Sequence, residues 1–380
     1  MACFRNISLF AGLLVFAAPS AHAWEKHRTL MPSILETLSP AAKLELTERR
    51  KPPCREDELR LYRNLAAETQ LRTDYEPPPT SPGGCLGSYK VSGFEILAGG
   101  FIDEPDQSFD LELPTSADPD GERKWMGGIH GSTSQGFRHM YFGGWKPLHP
   151  LASLQFPPWA LGQAPTRANI FGERARREIR AGNKLWGYRL LAWSAHYIQD
   201  LTQPFHATQI PSLWMVPWSK LFSGFIPEAT RTISNYHWAY EDFLLYELTR
   251  SGRSKLAECM LKPSTHATIP QTLAAYATED FPADLALTVA QASRALAAPI
   301  GSALIDYFGP KLKEPGFDLA HTGNPLDYAA LDQRTDLKNA REALFTANCP
   351  ALANASVATQ LLVEWALFSP LATSNATPDK

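Results

Sequence analysis

Long stripes of apolar residues at helical spacing, with little strand-like alternation, set the limits of what this chain can fold into. Across 174–200 the positions Ile179, Leu185, Tyr188, Leu191, Ala192, Ala195 and Tyr197 recur at that spacing. The pattern predicts one long helix with a buried face, despite Gly182 and Gly187. Residues 233–248 read as a second helix and 285–308 as a third, bent at Pro299. Weaker stripes at 32–49, 57–68, 326–346 and 357–368 complete the expectation of an all-α chain, a compact multi-helix bundle. Two segments interrupt it. Residues 104–136, rich in Asp, Pro, Gly and Ser, read as a long surface loop, and 209–226 gathers Trp214, Trp218, Phe222 and Phe225 around Pro211 and Pro217.

The N-terminus carries a different signal. Residues 1–23 combine a basic start at Arg5, an apolar run over 7–18 and the small-residue ending Ala21-His22-Ala23. Such an order marks a secretory signal, too short to cross a bilayer core of roughly 30 Å. Cleavage is expected to leave Trp24 first, in a secreted or periplasmic protein, and no later stretch reads as a membrane span. Of five cysteines, Cys3 leaves with the signal. Cys54, Cys85, Cys259 and Cys349 remain for one or two disulfides, with Cys54 and Cys85 the pair favoured by proximity. A formal net charge of -3 excludes a basic nucleic-acid coat and an acidic tail protein.

Chemistry concentrates in the run from Ala195 to Ala207. His196 and Asp200 are four apart, so on a helix they project from one face and can reach one metal. Pro204 argues that this helix ends soon after Asp200, turning the chain so that His206 comes back toward the same pocket. His237 and Glu241 repeat the spacing in the next apolar stripe. Imidazole and carboxylate pairs on facing helices are how helical bundles build metal centres in their cores, and these ligand types suit zinc. The ordinary alternative for either pair alone is a surface ion pair. Two pairs plus His206, set among Trp193, Tyr197, Phe205, Trp238 and Phe243, argue for burial, and a buried carboxylate needs a cation.

The run His196-x-x-x-Asp200-x5-His206, followed by His237-x-x-x-Glu241, resembles the zinc-dependent phospholipase C and single-strand-specific nuclease superfamily. The resemblance spans about 24–309, with 310–380 as a C-terminal extension of unknown role. It implies an all-helical secreted enzyme with three zinc ions and with the mature N-terminal Trp as a ligand through its amine and carbonyl; Trp24 fits that place. By the same resemblance Asp200 bridges two zincs, His196 and Trp24 serve that pair, and His206, His237 and Glu241 hold the third. His27 is the expected histidine near the terminus. His139, in Phe137-Arg138-His139-Met140-Tyr141, matches the family's His-Phe-Tyr pattern better than His130 does. The remaining carboxylate is expected at Asp103, which would also orient or deprotonate the attacking water, with Glu104 and Asp106 as rivals.

Such a centre implies hydrolysis of a phosphodiester by a zinc-activated water, with no side-chain nucleophile. The substrate class is less constrained. The aromatic segment with Trp214, Trp218 and Phe222 suits transient contact with a membrane surface, which favours a phospholipid or other small phosphodiester, the chain acting as a monomer. The same rings would stack nucleobases in a nuclease. Without a basic groove to track a polyanion, phospholipid ranks first. A secreted zinc-binding protein without activity is the remaining alternative, distinguishable because structural zinc sites leave no open coordination position.

Overall fold

The computed structural model describes residues 27–69, 79, 90–107, 138–143, 160–216, 226–250, 254–276, 279–319 and 326–370. Among the described residues the chain is all-α. Its α-helices are α1 (Met31–Leu35), α2 (Pro40–Thr47), α3 (Arg55–Thr69), α4 (Gly93–Leu97), α5 (Ala164–Arg180), α6 (Lys184–Asp200), α7 (Pro204–Ala207), α8 (Ile226–Thr249), α9 (Lys255–Leu261), α10 (Phe281–Phe308), α11 (Tyr328–Asp332) and α12 (Lys338–Phe368). Among the described residues there are also two antiparallel ladders with strands of two residues: β1 (Arg49–Arg50) with β2 (Val91–Ser92), and β3 (Phe142–Gly143) with β4 (Ala160–Leu161). The signal segment, Trp24, Cys85, most of the 104–136 loop, Trp218 and Phe222 lie outside the described residues.

The single helix expected over 174–200 is instead a hairpin of two. Gly182 sits at φ +90°, a conformation that L side chains rarely adopt, and it reverses the chain between α5 and α6. Every residue of α6 from Leu185 to Asp200 is buried, so this is the central helix of the bundle. A helix enclosed all round must satisfy its polar side chains internally. The Arg189 guanidinium clasps the Glu104 carboxylate from two sides, while Trp193 Nε1 donates to the same group at 2.8 Å. Ser194 Oγ donates to the Ala168 carbonyl at 2.7 Å. Tyr188 and Lys184 both donate to Glu45 Oε1 at 2.6 Å, and His196, Gln199 and Asp200 build the site described below.

α10 runs unbroken through Pro299, and the two segments expected at 326–346 and 357–368 resolve into α11 and one long helix, α12, that continues through Pro350. The stretch after 310, expected as an extension, contributes α12 to the core, where it packs on α10, α9, α5 and α6. No membrane span was expected after the signal, yet by length and composition the helix over Thr335–Phe368 is sufficient for one. Its apolar window is 83% buried inside the molecule, as befits a core helix. A disulfide joins Cys259 of α9 to Cys349 of α12 across 90 residues. Cys54 is also disulfide-bonded, to a residue outside the described ones.

Candidate metal centre

Eight titratable side chains, scattered over the sequence from 27 to 241, meet where the C-terminal end of α6 faces α7 and α8. α6 supplies His196 and Asp200, both fully buried. It stops there because Pro204 cannot continue it, and Pro204 instead opens α7 at its first position. Gln203 caps that short helix, its Oε1 accepting the Phe205 N–H at 3.0 Å. His206 is thereby turned back under α6. α8 lies opposite and presents His237 and Glu241 one turn apart. His27 enters from a 3-10 turn over His27–Thr29, and His139 from the residues just before β3.

The His139 segment is held by two backbone devices. The Tyr141 N–H donates to the His206 carbonyl at 2.8 Å, tying it to α7. Beneath it, Gly162 at φ +110° lies so near the Met140 carbonyl that a Cβ there would stand 2.0 Å from the oxygen. Only glycine permits that approach.

Asp200 sits at the focus. One carboxylate oxygen, Oδ1, is 3.0 Å from His27 Nε2; the other, Oδ2, is 2.8 Å from His139 Nδ1 and 3.4 Å from His196 Nε2. Asp106 faces the same histidines, its Oδ1 lying 3.6 Å from His196 Nε2 and 3.8 Å from His139 Nδ1. A second group lies alongside: His206 Nε2 is 3.1 Å from His237 Nε2 and 3.7 Å from Glu241 Oε1, and His237 Nε2 is 2.9 Å from that oxygen. Ligands at 2.0–2.1 Å from one tetrahedral ion stand roughly 3.3 Å apart. His27, Asp106 and His196; His139, His196 and Asp200; and His206, His237 and Glu241 each converge closely enough to hold a metal ion.

Proton positions sharpen this. His196 Nδ1 is 2.7 Å from the Ile102 carbonyl, His206 Nδ1 is 2.7 Å from the His139 carbonyl, and His27 Nδ1 is 3.0 Å from Gln199 Oε1. Those oxygens only accept, so each ring carries its proton on Nδ1. Burial holds His196 and His206 below the ordinary histidine range, with the neighbouring His27 adding to the effect at His196. Burial also lowers His139, with the Arg138 charge adding to the effect, and brings His237 down to about 3. Neutral His196 and His206 therefore aim Nε2 lone pairs at carboxylate oxygens or at another ring nitrogen. Acceptors facing acceptors in a dry pocket repel one another, and a shared cation resolves the conflict.

Among the sequence candidates, His27, His139, His196, Asp200, His206, His237 and Glu241 are brought together. Asp103 is not. Its Oδ1 accepts the Arg28 backbone N–H at 3.2 Å and its Oδ2 lies 3.5 Å from Arg28 Nε. Of its rivals, Glu104 is turned inward onto Arg189 and Trp193, and Asp106 is the carboxylate that reaches the histidines. Three nearby acids thus face three ways, a distinction that spacing alone does not encode. Gln199 and Gln203 were not singled out from the sequence. Gln203 Nε2 donates to Glu241 Oε1 at 2.6 Å and lies 3.0 Å from His237 Nε2. Its position just before Pro204, where helix caps occur, was the available signal. No family model matches this chain, and no curated protein matches it.

Proposed function

We propose that the chain is a secreted zinc-dependent phosphodiester hydrolase of the phospholipase C type, with three zinc ions at its clustered ligands. The observation that carries this reading is the set of Nε2 lone pairs on His196 and His206 aimed at Asp200, Glu241 and neighbouring imidazoles. In this reading His27, Asp106, His139, His196 and Asp200 would hold one pair of ions, and His206, His237 and Glu241 would hold the third. Trp24, which lies outside the described residues, would add its terminal amine, as the resemblance implies. When bound, zinc supplies Lewis acidity toward the phosphoryl oxygens and a water acidic enough to attack near neutral pH.

The chain's own residues then have distinct tasks. Asp106, at the rim of the pocket with its side chain 8% exposed, is positioned to accept the proton of the attacking water, the task first expected of Asp103. Gln203 keeps Glu241 aligned by its amide N–H. The carbonyls of Ile102 and His139 keep His196 and His206 in the tautomer that frees Nε2. No side-chain nucleophile is required. Trp214, 64% exposed just beyond α7, supports a lipid substrate. Lys313 donates to the Trp214 backbone carbonyl, so an exposed indole and an ammonium belong to one stretch of surface, a combination suited to the headgroup layer of a membrane.

The test is metal content of the mature protein together with parallel hydrolysis of bis-p-nitrophenyl phosphate, phosphatidylcholine vesicles and single-stranded DNA. Phosphorylcholine release with zinc bound is the expected result. Cleavage of DNA with vesicles left intact would move the chain to the nuclease reading. Three zincs without turnover on any substrate would leave a metal-binding protein.

A further inference from the structure

We propose that Gln199 is a positioning residue for the metal centre, and that the C-terminal helix α12 acts on that centre through it. The proposal rests on the metal-binding reading above. Gln199 lies on α6 one residue before Asp200, and like His27 and Thr359 it has no exposed surface. Its Oε1 accepts from His27 Nδ1 at 3.0 Å, while its Nε2 donates to Thr359 Oγ1 of α12 at 3.1 Å and lies 3.3 Å from Met31 Sδ. The two ends of the amide therefore have different employers. The hydroxyl and the sulfur occupy the N–H side, which leaves the carbonyl for His27.

That orientation decides which nitrogen of His27 carries the proton. With Nδ1–H bonded to Gln199, the Nε2 lone pair faces Asp200 Oδ1 at 3.0 Å and is ready to bind metal. With no acceptor at Nδ1, the proton would move to Nε2 and donate to Asp200, removing one lone pair from the imidazole and one from the carboxylate at the same time. An outer partner of this kind is worth roughly 10–100-fold in metal affinity. The His206, His237 and Glu241 group has its own partners in Gln203 and the His139 carbonyl, so it should be indifferent to Gln199.

The experiment compares the full mature chain with Gln199→Leu, Gln199→Glu and Thr359→Val, using zinc titration and histidine 15N spectra of the metal-free proteins. Wild type should show His27 protonated at Nδ1. Gln199→Leu should shift that proton to Nε2 and weaken zinc roughly 10–100-fold at the His27 group, while the His206 group is unchanged. Gln199→Glu keeps an acceptor and should recover most of the affinity. Thr359→Val, which keeps the shape of the side chain and does not touch His27, should give a smaller loss at the same group. Zinc affinity in Gln199→Leu within twofold of wild type, an unchanged His27 tautomer, or equal losses at both groups would overturn the proposal. Wild type binding no zinc would instead overturn the metal-centre reading beneath it.

Discussion

Replacing Asp200 by Asn exchanges one oxygen for a nitrogen at the point where three imidazoles meet, and its effect on stability should depend strongly on metal. In the metal-free protein the amide fits its surroundings better than the carboxylate does. Its oxygen, in the place of Oδ2, can accept from His139 Nδ1 at 2.8 Å. Its nitrogen, in the place of Oδ1, can donate to His27 Nε2 at 3.0 Å. Two lone pairs that face each other become a hydrogen bond, so Asp200→Asn should stabilise the chelated protein by about 1–3 kcal/mol. With zinc at 100 times its Kd, binding adds about 2.7 kcal/mol to the wild type. If the loss of the bridging charge weakens that site about a thousandfold, the same zinc adds under about 0.1 kcal/mol to the variant. The variant should therefore be the more stable protein in chelator and the less responsive one in zinc. Urea unfolding at pH 8, in chelator and in excess zinc, measures both. The reasoning is refuted if Asp200→Asn is destabilised by more than about 1 kcal/mol in chelator while its zinc increment matches wild type.

Asp106, which faces the histidines, and Asp103, which pairs with Arg28, are separable by substitution. Asp106→Asn should lower kcat by about 100-fold or more and weaken zinc at the His27 group, whereas Asp103→Asn loses a partly exposed pair to Arg28 and should cost under about 1 kcal/mol of stability with zinc binding and kcat nearly unchanged. Gly162→Ala should cost at least about 1–3 kcal/mol in urea unfolding, because its φ of +110° is strained for alanine before the clash with the Met140 carbonyl is counted. pH should act on the metal-free protein through the buried histidines. Their folded-state pKa values lie below the unfolded value of about 6.5, so the unfolded chain binds more protons in acid. Stability is then full above about pH 6.5 and falls as pH drops toward 3, by up to about 1.4 kcal/mol per pH unit for each such histidine. Urea midpoints between pH 8 and pH 4 would test the slope. Breaking the Cys259–Cys349 bridge with paired serines should lower stability by about 2–5 kcal/mol, measured by unfolding under non-reducing conditions.

Helical class was readable because apolar stripes survive in almost every segment that folds as a helix, and the site was readable where its residues share a helix face. His196 with Asp200 and His237 with Glu241 announce themselves by a spacing of four. His206 follows from Pro204, which ends one helix and begins another. What escaped depends on direction or distance. The hairpin at Gly182 was hidden because the stripe keeps its rhythm on both sides of the turn. Asp103, Glu104 and Asp106 differ only in which neighbour each faces, and those neighbours, Arg28, Arg189 and His196, are remote in sequence. Gln199 looked like one more polar residue on a helix until α12 was seen to cover it. The length of α12 was equally obscured, since Pro350 divides its sequence into two weak stripes that the bundle nonetheless holds as one helix.

The link from His27 through Gln199 to Thr359 also bears on the order of events as the protein is made. Its two steps cross 172 and 160 residues of chain, and contacts so far apart close late and slowly. α12 emerges from the ribosome after every other described helix, so a nascent chain that already carries His27, His196 and Asp200 still lacks Thr359, the group that fixes the Gln199 amide. On the proposed metal reading, tight capture at that group would be a property of the finished chain, and an N-terminal fragment containing every proposed ligand should bind metal more weakly than the whole.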